Sequence, residues 1–330
     1  MSEIQPGHNP EITGENKEKE PNITVDFFFS YHGTPEDFSR LPEALKKADV
    51  FIPEEHGWTK YTEKLYNEIS EGKTNPDEIN FSHVDKKILS LLYNSKKPVL
   101  FIDTPSEHPI TIEAYTPAET EAEAIKDFLE GYFDLSITNI KSALGDKARN
   151  IIEREKIMAA TLKEKIKNLT QQFPQLKNKE NINILAALGV THTSLHQQLR
   201  PELQQSNKIL GRDTIVFTTA REIVRTLIRN PEKIFDDEVY ARALIENIVS
   251  FLIKDTTLDS NKISWVARKL CANLSMDRIQ LFSKNTGHLL LGQQLNTHNI
   301  KHLPSELAKI GIKLPTTEEE IDKLLNIRKK

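Results

Sequence analysis

The sequence predicts an α/β protein with a largely parallel central sheet, flanking helices and a helical C-terminal region. Apolar, strand-like runs alternate with amphipathic segments between residues 22 and 217. Strands that are joined by helical crossovers run parallel to one another. After residue 217 the pattern is helical. We therefore divide the chain into a polar, disordered tail at 1–21, an α/β domain at 22–217 and a helical region at 218–330.

Four strands are predicted in the α/β domain, and a fifth segment is a candidate strand. Residues 23–30 are rich in β-branched and aromatic side chains, as strands are. Residues 49–54 form a second, short strand. Residues 98–103 are apolar almost throughout, which indicates a strand that is buried on both faces. Residues 181–188 form the fourth strand, and residues 213–217 are the candidate fifth.

Helices are predicted between the strands and through the C-terminal region. A long helical tract covers residues 118–169, with breaks near Gly131 and Gly145 because glycine weakens a helix interior. The other helices of the α/β domain are predicted at 35–48, 59–71 and 82–94, where the segments are amphipathic. The C-terminal helices are predicted at 220–229, 237–254, 262–273, 277–281, 306–310 and 318–327.

Composition and charge exclude several classes of function. The formal net charge is -4, so no global basic field attracts nucleic acid or anionic lipid. The single cysteine, Cys271, forbids an internal disulfide and fits a reducing compartment. No apolar run approaches the roughly 20 residues that cross a bilayer, and the first twenty residues lack a signal-peptide core. We expect a cytoplasmic protein with no nucleic-acid or membrane partner.

Common catalytic and cofactor motifs are absent from the sequence. It contains no Gly-x-Gly-x-x-Gly, P-loop, Cys-x-x-Cys or His-Glu-x-x-His motif. It also lacks the Gly-x-Ser-x-Gly nucleophile turn. Functions that need a nucleotide cofactor, a zinc ribbon or a serine nucleophile therefore have little support.

Ionisable side chains lie at the ends of four predicted strands. His32 follows the first strand, Glu54 and Glu55 follow the second, Asp103 ends the third and His192 follows the fourth. Because the carboxyl ends of parallel strands share one edge of a sheet, we expect these side chains to converge in one crevice. Imidazole and carboxylate groups serve there as acids, bases or ligands of a divalent metal.

Three segments occur in an order that is typical of one superfamily. Residues 32–54 contain a histidine turn, a helical segment and an Ala-Asp pair before a strand that ends in Glu. Residues 153–159 contain Glu-Arg followed by Met-Ala, and residues 188–192 contain a Gly-x-x-His turn. The ordered set resembles the motifs of the TraB, Tiki, ChaN and erythromycin-esterase superfamily. It spans most of residues 23–200 and leaves the helical C-terminal region outside.

The resemblance implies a hydrolase. Members of the superfamily cleave macrolide lactone esters or, in the metal-dependent Tiki branch, peptide bonds, and others are linked to iron or haem. By the resemblance, the catalytic residues are His32, Glu54, Arg154 and His192. It implies a small-molecule or peptide substrate. If the reaction is metal-dependent, the divalent metal is held by His32, Glu54 and His192.

The residue types indicate the role of each group. His32 is the candidate general base that takes a proton from water, and Glu54 would fix its tautomer or bind the metal. Arg154 presents a planar fork of donors that could hold a substrate carboxylate or stabilise an oxyanion. Alternatively, Arg154 only forms an ion pair with Glu54 or Asp103 and ties the long helix to the sheet.

Two other functions stay open, and three further residues are candidates for substrate binding. The substrate-binding candidates are Glu55, Asp103 and Trp58. One alternative function is a non-catalytic protein that binds a small molecule, a metal or haem. The other is an interaction protein whose helical C-terminal region docks a protein partner.

A ladder of arginines lies on one face of the predicted helix 220–229. It consists of Arg221, Arg225 and Arg229 at four-residue spacing. The ladder indicates binding of an acidic partner or a phosphate, or else ordinary surface pairing with nearby acids such as Glu222.

Overall fold

The α/β class is confirmed by the computed structural model. It describes residues 21–31, 39–79, 83–113, 116–203, 205–211, 215–253, 260–290 and 301–326. These residues form a four-stranded, all-parallel sheet with flanking helices and a helical C-terminal region. Apart from Pro21, the predicted tail lies outside the described residues. Among the described helices, none combines the length and the apolar character needed to cross a bilayer.

The sheet consists of β1 (Asn22–Ser30), β2 (Val50–Pro53), β3 (Asn181–Gly189) and β4 (Gln205–Leu210). The strand order is β2-β3-β1-β4. β1 and β3 pair in parallel from the first residue of each strand to the last. β2 pairs in parallel with residues 184–187 of β3, so that both strands end at the same edge of the sheet.

The helices of the described chain are numbered in sequence order. Those of the α/β part are α1 (Leu41–Lys47), α2 (Lys60–Ser70), α3 (His83–Leu92), α4 (Pro109–Glu113), α5 (Thr116–Leu129), α6 (Phe133–Lys167), α7 (Leu169–Gln172) and α8 (Thr193–Leu199). Those of the C-terminal part are α9 (Thr219–Arg229), α10 (Asp237–Ile253), α11 (Ser260–Cys271), α12 (Met276–Leu290), α13 (Leu303–Lys309) and α14 (Glu318–Leu325).

Helices cover both faces of the sheet, because successive strand side chains point to opposite faces. Phe27 and Phe29 pack against the C-terminal half of α6 and against α8, whereas Phe28 packs against α1, α2 and α3. The chain leaving β2 therefore passes through α2 and α3 on one face. The chain leaving β3 passes through α8 on the other face, toward β4. A point where two connections diverge in this way opens a crevice at the carboxyl ends of the strands.

The predicted strand at 98–103 is reduced to a single bridge. The segment is buried beside β2, but its only parallel bridge joins Val99 to Phe51. Phe51 makes two backbone hydrogen bonds to the segment, both 2.9 Å long. The next donor of this ladder on β2 would be Pro53, which has no backbone N–H. The ladder therefore stops after one residue.

The candidate strand at 213–217 is wrong for the residues that the structure describes there, 215–217, which lie outside any strand. The fourth strand is instead β4, a polar segment that the sequence pattern missed. Within the described ranges, β4 is an edge strand that pairs only with β1. Because an edge strand is not buried on both sides, it does not need the apolar run by which central strands are found.

A second hydrophobic core lies in the helical part of the molecule. It includes buried apolar side chains of α5 and α6 between Ala124 and Ile151, as well as side chains from α9 to α14. Further along α6, Met158 and Leu162 belong to the core beneath the sheet. The long helix therefore connects the two cores. The boundary predicted at residue 217 stays a prediction.

The predicted helix break at Gly131 is confirmed, and the one near Gly145 is wrong. Gly131 follows α5 with a φ of +87°, a conformation that glycine adopts at little cost. Gly145 lies inside α6, which continues without interruption for 35 residues. A single glycine in so long a helix is tolerated because tertiary packing outweighs its low propensity.

Gly287 of α12 lies directly against the turn between α5 and α6. A Cβ atom on Gly287 would lie 2.6 Å from the carbonyl oxygen of Glu130 and 2.9 Å from the Cα atom of Gly131. We expect Gly287→Ala to lower the free energy of unfolding by about 1–3 kcal/mol, because backbone atoms cannot move aside freely. Urea denaturation of the full chain measures this change.

The matched control for Gly287→Ala is Gly145→Ala. The nearest atom to a Cβ on Gly145 is the end of the Arg149 side chain, at 3.7 Å. We expect this variant to be more stable than the parent by up to about 1 kcal/mol, because alanine is the better helix former. Similar effects of the two substitutions would contradict the close packing at Gly287.

Candidate functional site

Glu54 is the central residue of a cluster at the carboxyl edge between β2 and β3. Its backbone N–H donates to the carbonyl oxygen of Ala187 at 2.9 Å. One carboxylate oxygen accepts a hydrogen bond from the backbone N–H of Gly189. The other lies 3.3 Å from Nε2 of His192 and 3.7 Å from Nη2 of Arg154. Glu54 therefore connects β2, the turn after β3 and α6.

His192 lies in the turn after β3 and is buried between two carboxylates. Its Nε2 faces Glu54, and its Nδ1 lies 3.3 Å from Glu155. Burial lowers the pKa of His192, but the two carboxylates outweigh burial and the nearby Arg154 and raise this pKa from 6.5 to about 9. At neutral pH, His192 is therefore an imidazolium that donates to both carboxylates and cannot act as a base.

Glu155 contacts His192 on the side of the ring opposite Glu54. It was not predicted as a site residue from the sequence. Its carboxylate accepts hydrogen bonds from the Ser194 hydroxyl at 2.9 and 2.6 Å and from the Gln198 side chain at 3.1 Å. Ser194 and Gln198 belong to α8, so that Glu155 joins α6 to α8. The only sequence feature that could have pointed to Glu155 was its position next to Arg154 on a predicted amphipathic helix, and this feature is not specific to a functional site.

Arg154 forms a bidentate ion pair with Asp103. Its Nε lies 3.1 Å from one Asp103 oxygen, and its Nη2 lies 2.5 Å from the other. The Asp103 side chain has no exposure, and it also accepts a hydrogen bond from the backbone N–H of Thr104 at 2.7 Å. Burial alone would lower the pKa of Arg154, but Asp103 and Glu54 raise it. The structure thus contains the ion pair with Asp103 that the sequence analysis gave as the alternative role of Arg154. In addition, 13% of the Arg154 side chain is exposed.

His56 lies in the turn that follows Glu54 and is half-buried. Its Nε2 is buried and has no hydrogen-bond partner among the described residues. Burial and the charge of Arg154 lower the pKa of His56, although Asp103 and Glu54 act in the opposite direction. His56 is therefore neutral at neutral pH and has a ring nitrogen that can take a proton. No role for His56 was predicted from the sequence. The only feature that pointed to it was its position directly after Glu54 and Glu55 at the end of a predicted strand.

The other predicted site residues lie around the same turn. Glu55 accepts a hydrogen bond from the Tyr66 hydroxyl at 2.9 Å. The Trp58 indole N–H donates to the backbone oxygen of Asp103 at 2.6 Å. Roles of Glu55, Asp103 and Trp58 in substrate binding stay predictions. His32, the predicted base, lies outside the described residues.

Of the three predicted metal ligands, only Glu54 and His192 lie in the described part of the chain, so the divalent metal stays a prediction. Within the ranges that the structure describes, no group of three or more His, Cys, Asp or Glu side chains could hold a metal ion. Both ring nitrogens of His192 face carboxylates and carry protons at neutral pH, whereas a metal ligand needs a free nitrogen lone pair. We therefore derive no chemical step through a metal.

Comparisons of the chain with protein-family models, with curated proteins and with solved structures found no match. The resemblance to the TraB, Tiki, ChaN and erythromycin-esterase superfamily thus depends on the three sequence segments alone. The chemistry of the site has to be inferred from its own geometry.

Proposed function

We propose that the protein is a hydrolase of ester or peptide bonds, with its active site at the carboxyl edge between β2 and β3. One observation carries this proposal: Arg154 and His192 come from remote segments, and their charged atoms lie 3.7 and 3.3 Å from the same oxygen of Glu54. They meet where the connections of two adjacent strands diverge, which is the usual place for a ligand crevice in this fold class. The sequence resemblance supports the same class of reaction.

In the proposed reaction, a neutral histidine takes a proton from the attacking water. The candidates are His32, from the resemblance, and His56, a half-buried histidine whose pKa is lowered by burial and by the charge of Arg154. A tetrahedral intermediate then forms, with negative charge on the former carbonyl oxygen. When it collapses, the histidine returns the proton to the leaving oxygen or nitrogen.

Arg154 is the cation proposed to stabilise the developing oxyanion. It always carries charge, and its partial exposure lets its guanidinium contact a substrate. His192 is too buried to touch a substrate, with 1% of its side chain exposed. Its proposed role is to position Glu54, which in turn faces Arg154.

The test of this function is turnover of chromogenic esters and fluorogenic peptides by the full chain. For a substrate that is cleaved, we expect His56→Gln to lower kcat/KM by about 10²–10⁴-fold, the usual effect of losing a general base. Urea denaturation should show that the variant is folded. The matched control is His302→Gln, at an exposed histidine before α13, which should keep full activity.

One result would contradict the role of His56 as the base, and another would contradict the hydrolase function. Full activity of His56→Gln would remove His56 as the base and leave His32 as the candidate, which His32→Gln then tests in the same assay. If the wild-type protein cleaved none of the chromogenic esters and fluorogenic peptides, the proposed hydrolase function would be contradicted.

A non-catalytic binding protein is the second candidate function. The observation that favours it is the internal pairing of Arg154 with Asp103 and of His192 with two carboxylates. Charges that are neutralised in this way can serve to stabilise the fold around a pocket. Saturable binding of a small molecule or haem without any product would support this function. Docking of a protein partner by the helical C-terminal region stays a prediction.

A further inference from the structure

Two neighbouring residues of α6 contact the proposed active site by different routes. Arg154 contacts Glu54 directly, with 3.7 Å between its Nη2 and the carboxylate. Glu155 reaches the same carboxylate through His192, whose two ring nitrogens lie 3.3 Å from Glu155 and 3.3 Å from Glu54. Together with the backbone of α6, these contacts form a closed ring of four side chains. None of the four can shift without changing a contact of another.

Glu155 is the most enclosed member of this ring. Its side chain has no exposure, so it cannot touch a substrate. The Ser194 hydroxyl lies 2.9 and 2.6 Å from the two carboxylate oxygens, and the amide nitrogen of Gln198 donates to one of them at 3.1 Å. Ser194 and Gln198 lie one turn apart on α8. These donors fix both oxygens of the carboxylate, and with them the place where Glu155 contacts His192.

A link between α6 and α8 alone would not require a carboxylate at residue 155. Buried charges are costly, and well-packed apolar side chains often join two elements at least as well. The same two helices also supply apolar side chains to the core beneath the sheet, among them Leu162 and Leu195. An apolar side chain, however, cannot accept a hydrogen bond from a ring nitrogen and so fix the orientation of an imidazole. The contact with His192 therefore gives the carboxylate of Glu155 a role of its own.

We propose that Glu155 is a positioning residue of the site at the carboxyl edge between β2 and β3. It orients the His192 ring, His192 holds Glu54, and the Glu54 carboxylate faces the guanidinium of Arg154. This role rests on the proposed hydrolase function, in which Arg154 stabilises the oxyanion. Because that charge develops only on the way to the transition state, a misplaced Arg154 should lower kcat and leave KM nearly unchanged.

Steady-state kinetics of Glu155→Gln, with the full chain and an ester or peptide that it cleaves, test this role. Glutamine keeps the size of the side chain but places an amide NH2 group where an oxygen accepts hydrogen bonds. We expect kcat to fall about 10–100-fold, as it does when the outer partner of a site histidine is removed, and KM to change less than about threefold. The matched control is Leu162→Ala, two turns further along the same face of α6, which should lower the Tm but keep kcat.

Ser194→Ala tests the same path from α8, and it serves as the main variant if Glu155→Gln does not fold. The Ser194 hydroxyl contacts both oxygens of Glu155, so its loss should loosen that carboxylate. We expect kcat to fall about 3–10-fold with KM unchanged, because Gln198 still holds one of the oxygens. The double variant Glu155→Gln/Ser194→Ala should have a kcat no lower than that of Glu155→Gln, since two substitutions on one path do not add.

Three results would overturn the positioning role of Glu155. The first is the parent's kcat in a folded Glu155→Gln variant, or in Ser194→Ala if Glu155→Gln does not fold, and the hydrolase function would then still stand. The second is an equal loss of kcat in Leu162→Ala and Glu155→Gln, which would show a general loosening of α6. The third is a wild-type protein without turnover of any ester or peptide, because the hydrolase function then fails and the positioning role fails with it.

Discussion

Replacing Arg154 with methionine should lower the free energy of unfolding by about 3–5 kcal/mol, because it leaves Asp103 as an unpaired charge in the interior. The Asp103 side chain has no exposure, and Arg154 supplies two of its hydrogen bonds. Methionine keeps most of the apolar stem of arginine, so that the loss reports on the charge rather than on packing. Urea denaturation at neutral pH, with the slope compared between variants, measures the change.

The double variant Arg154→Met/Asp103→Leu distinguishes the effect of an unpaired charge on Asp103 from the effect of lost contacts of Arg154. Removing both partners leaves no buried charge, so we expect the double variant to recover most of the lost stability. Arg149→Met is the surface control on the same helix, where 71% of the side chain is exposed, and should cost less than about 1 kcal/mol. If Arg154→Met were as mild as this control, the buried pair with Asp103 would not stabilise the fold.

Stability should also fall as the pH rises from 6.5 to 9, because the folded chain retains a proton on His192 that the unfolded chain loses over this range. The pKa of His192 is about 9 in the folded chain and 6.5 in an unfolded one. A group whose pKa is raised on folding stabilises the fold fully below its unfolded pKa, and this contribution is lost as the pH passes its folded pKa. The difference corresponds to about 3 kcal/mol for a buried side chain. Urea denaturation at several pH values between 6 and 9 measures the loss.

His192→Gln is the control for this pH dependence. Glutamine can still donate a hydrogen bond to Glu54 or Glu155, but it does not titrate. We expect this variant to be less stable than the parent at pH 6.5 and to approach it near pH 9 as the parent loses its advantage. The same decline with pH in His192→Gln as in the parent would show that other groups cause it, and the imidazolium between Glu54 and Glu155 would be contradicted.

The meeting of Glu54 and His192 could be predicted from the sequence because each follows an apolar strand. Parallel strands end at one edge, so residues that follow them are brought together by topology alone. Arg154 could be added only through the resemblance. Glu155 could not be found in this way, since a carboxylate within a long amphipathic helix normally faces water. Its burial depends on how α8 docks against α6, and no local pattern encodes that contact.

Two segments at the borders of the sheet were not predicted correctly from the pattern of apolar side chains. β4 is polar because it lies at the edge of the sheet, so that it has few of the apolar, β-branched and aromatic side chains by which the other strands were predicted. The segment 98–103 has that apolar signal but pairs through one bridge, because Pro53 removes the next hydrogen bond from the ladder. Pro53 was visible in the sequence. Its effect on the neighbouring segment became clear only once the two segments were known to lie side by side.

The α/β class and most of the helices can be predicted from the sequence, because the periodicity of apolar side chains is a local property of the chain. The state of the charges, in contrast, depends on the folded structure. Whether His192 is protonated and whether Arg154 is paired both depend on burial and on charges from remote segments. Electrostatic energies depend on distance through the folded molecule and not on separation along the chain.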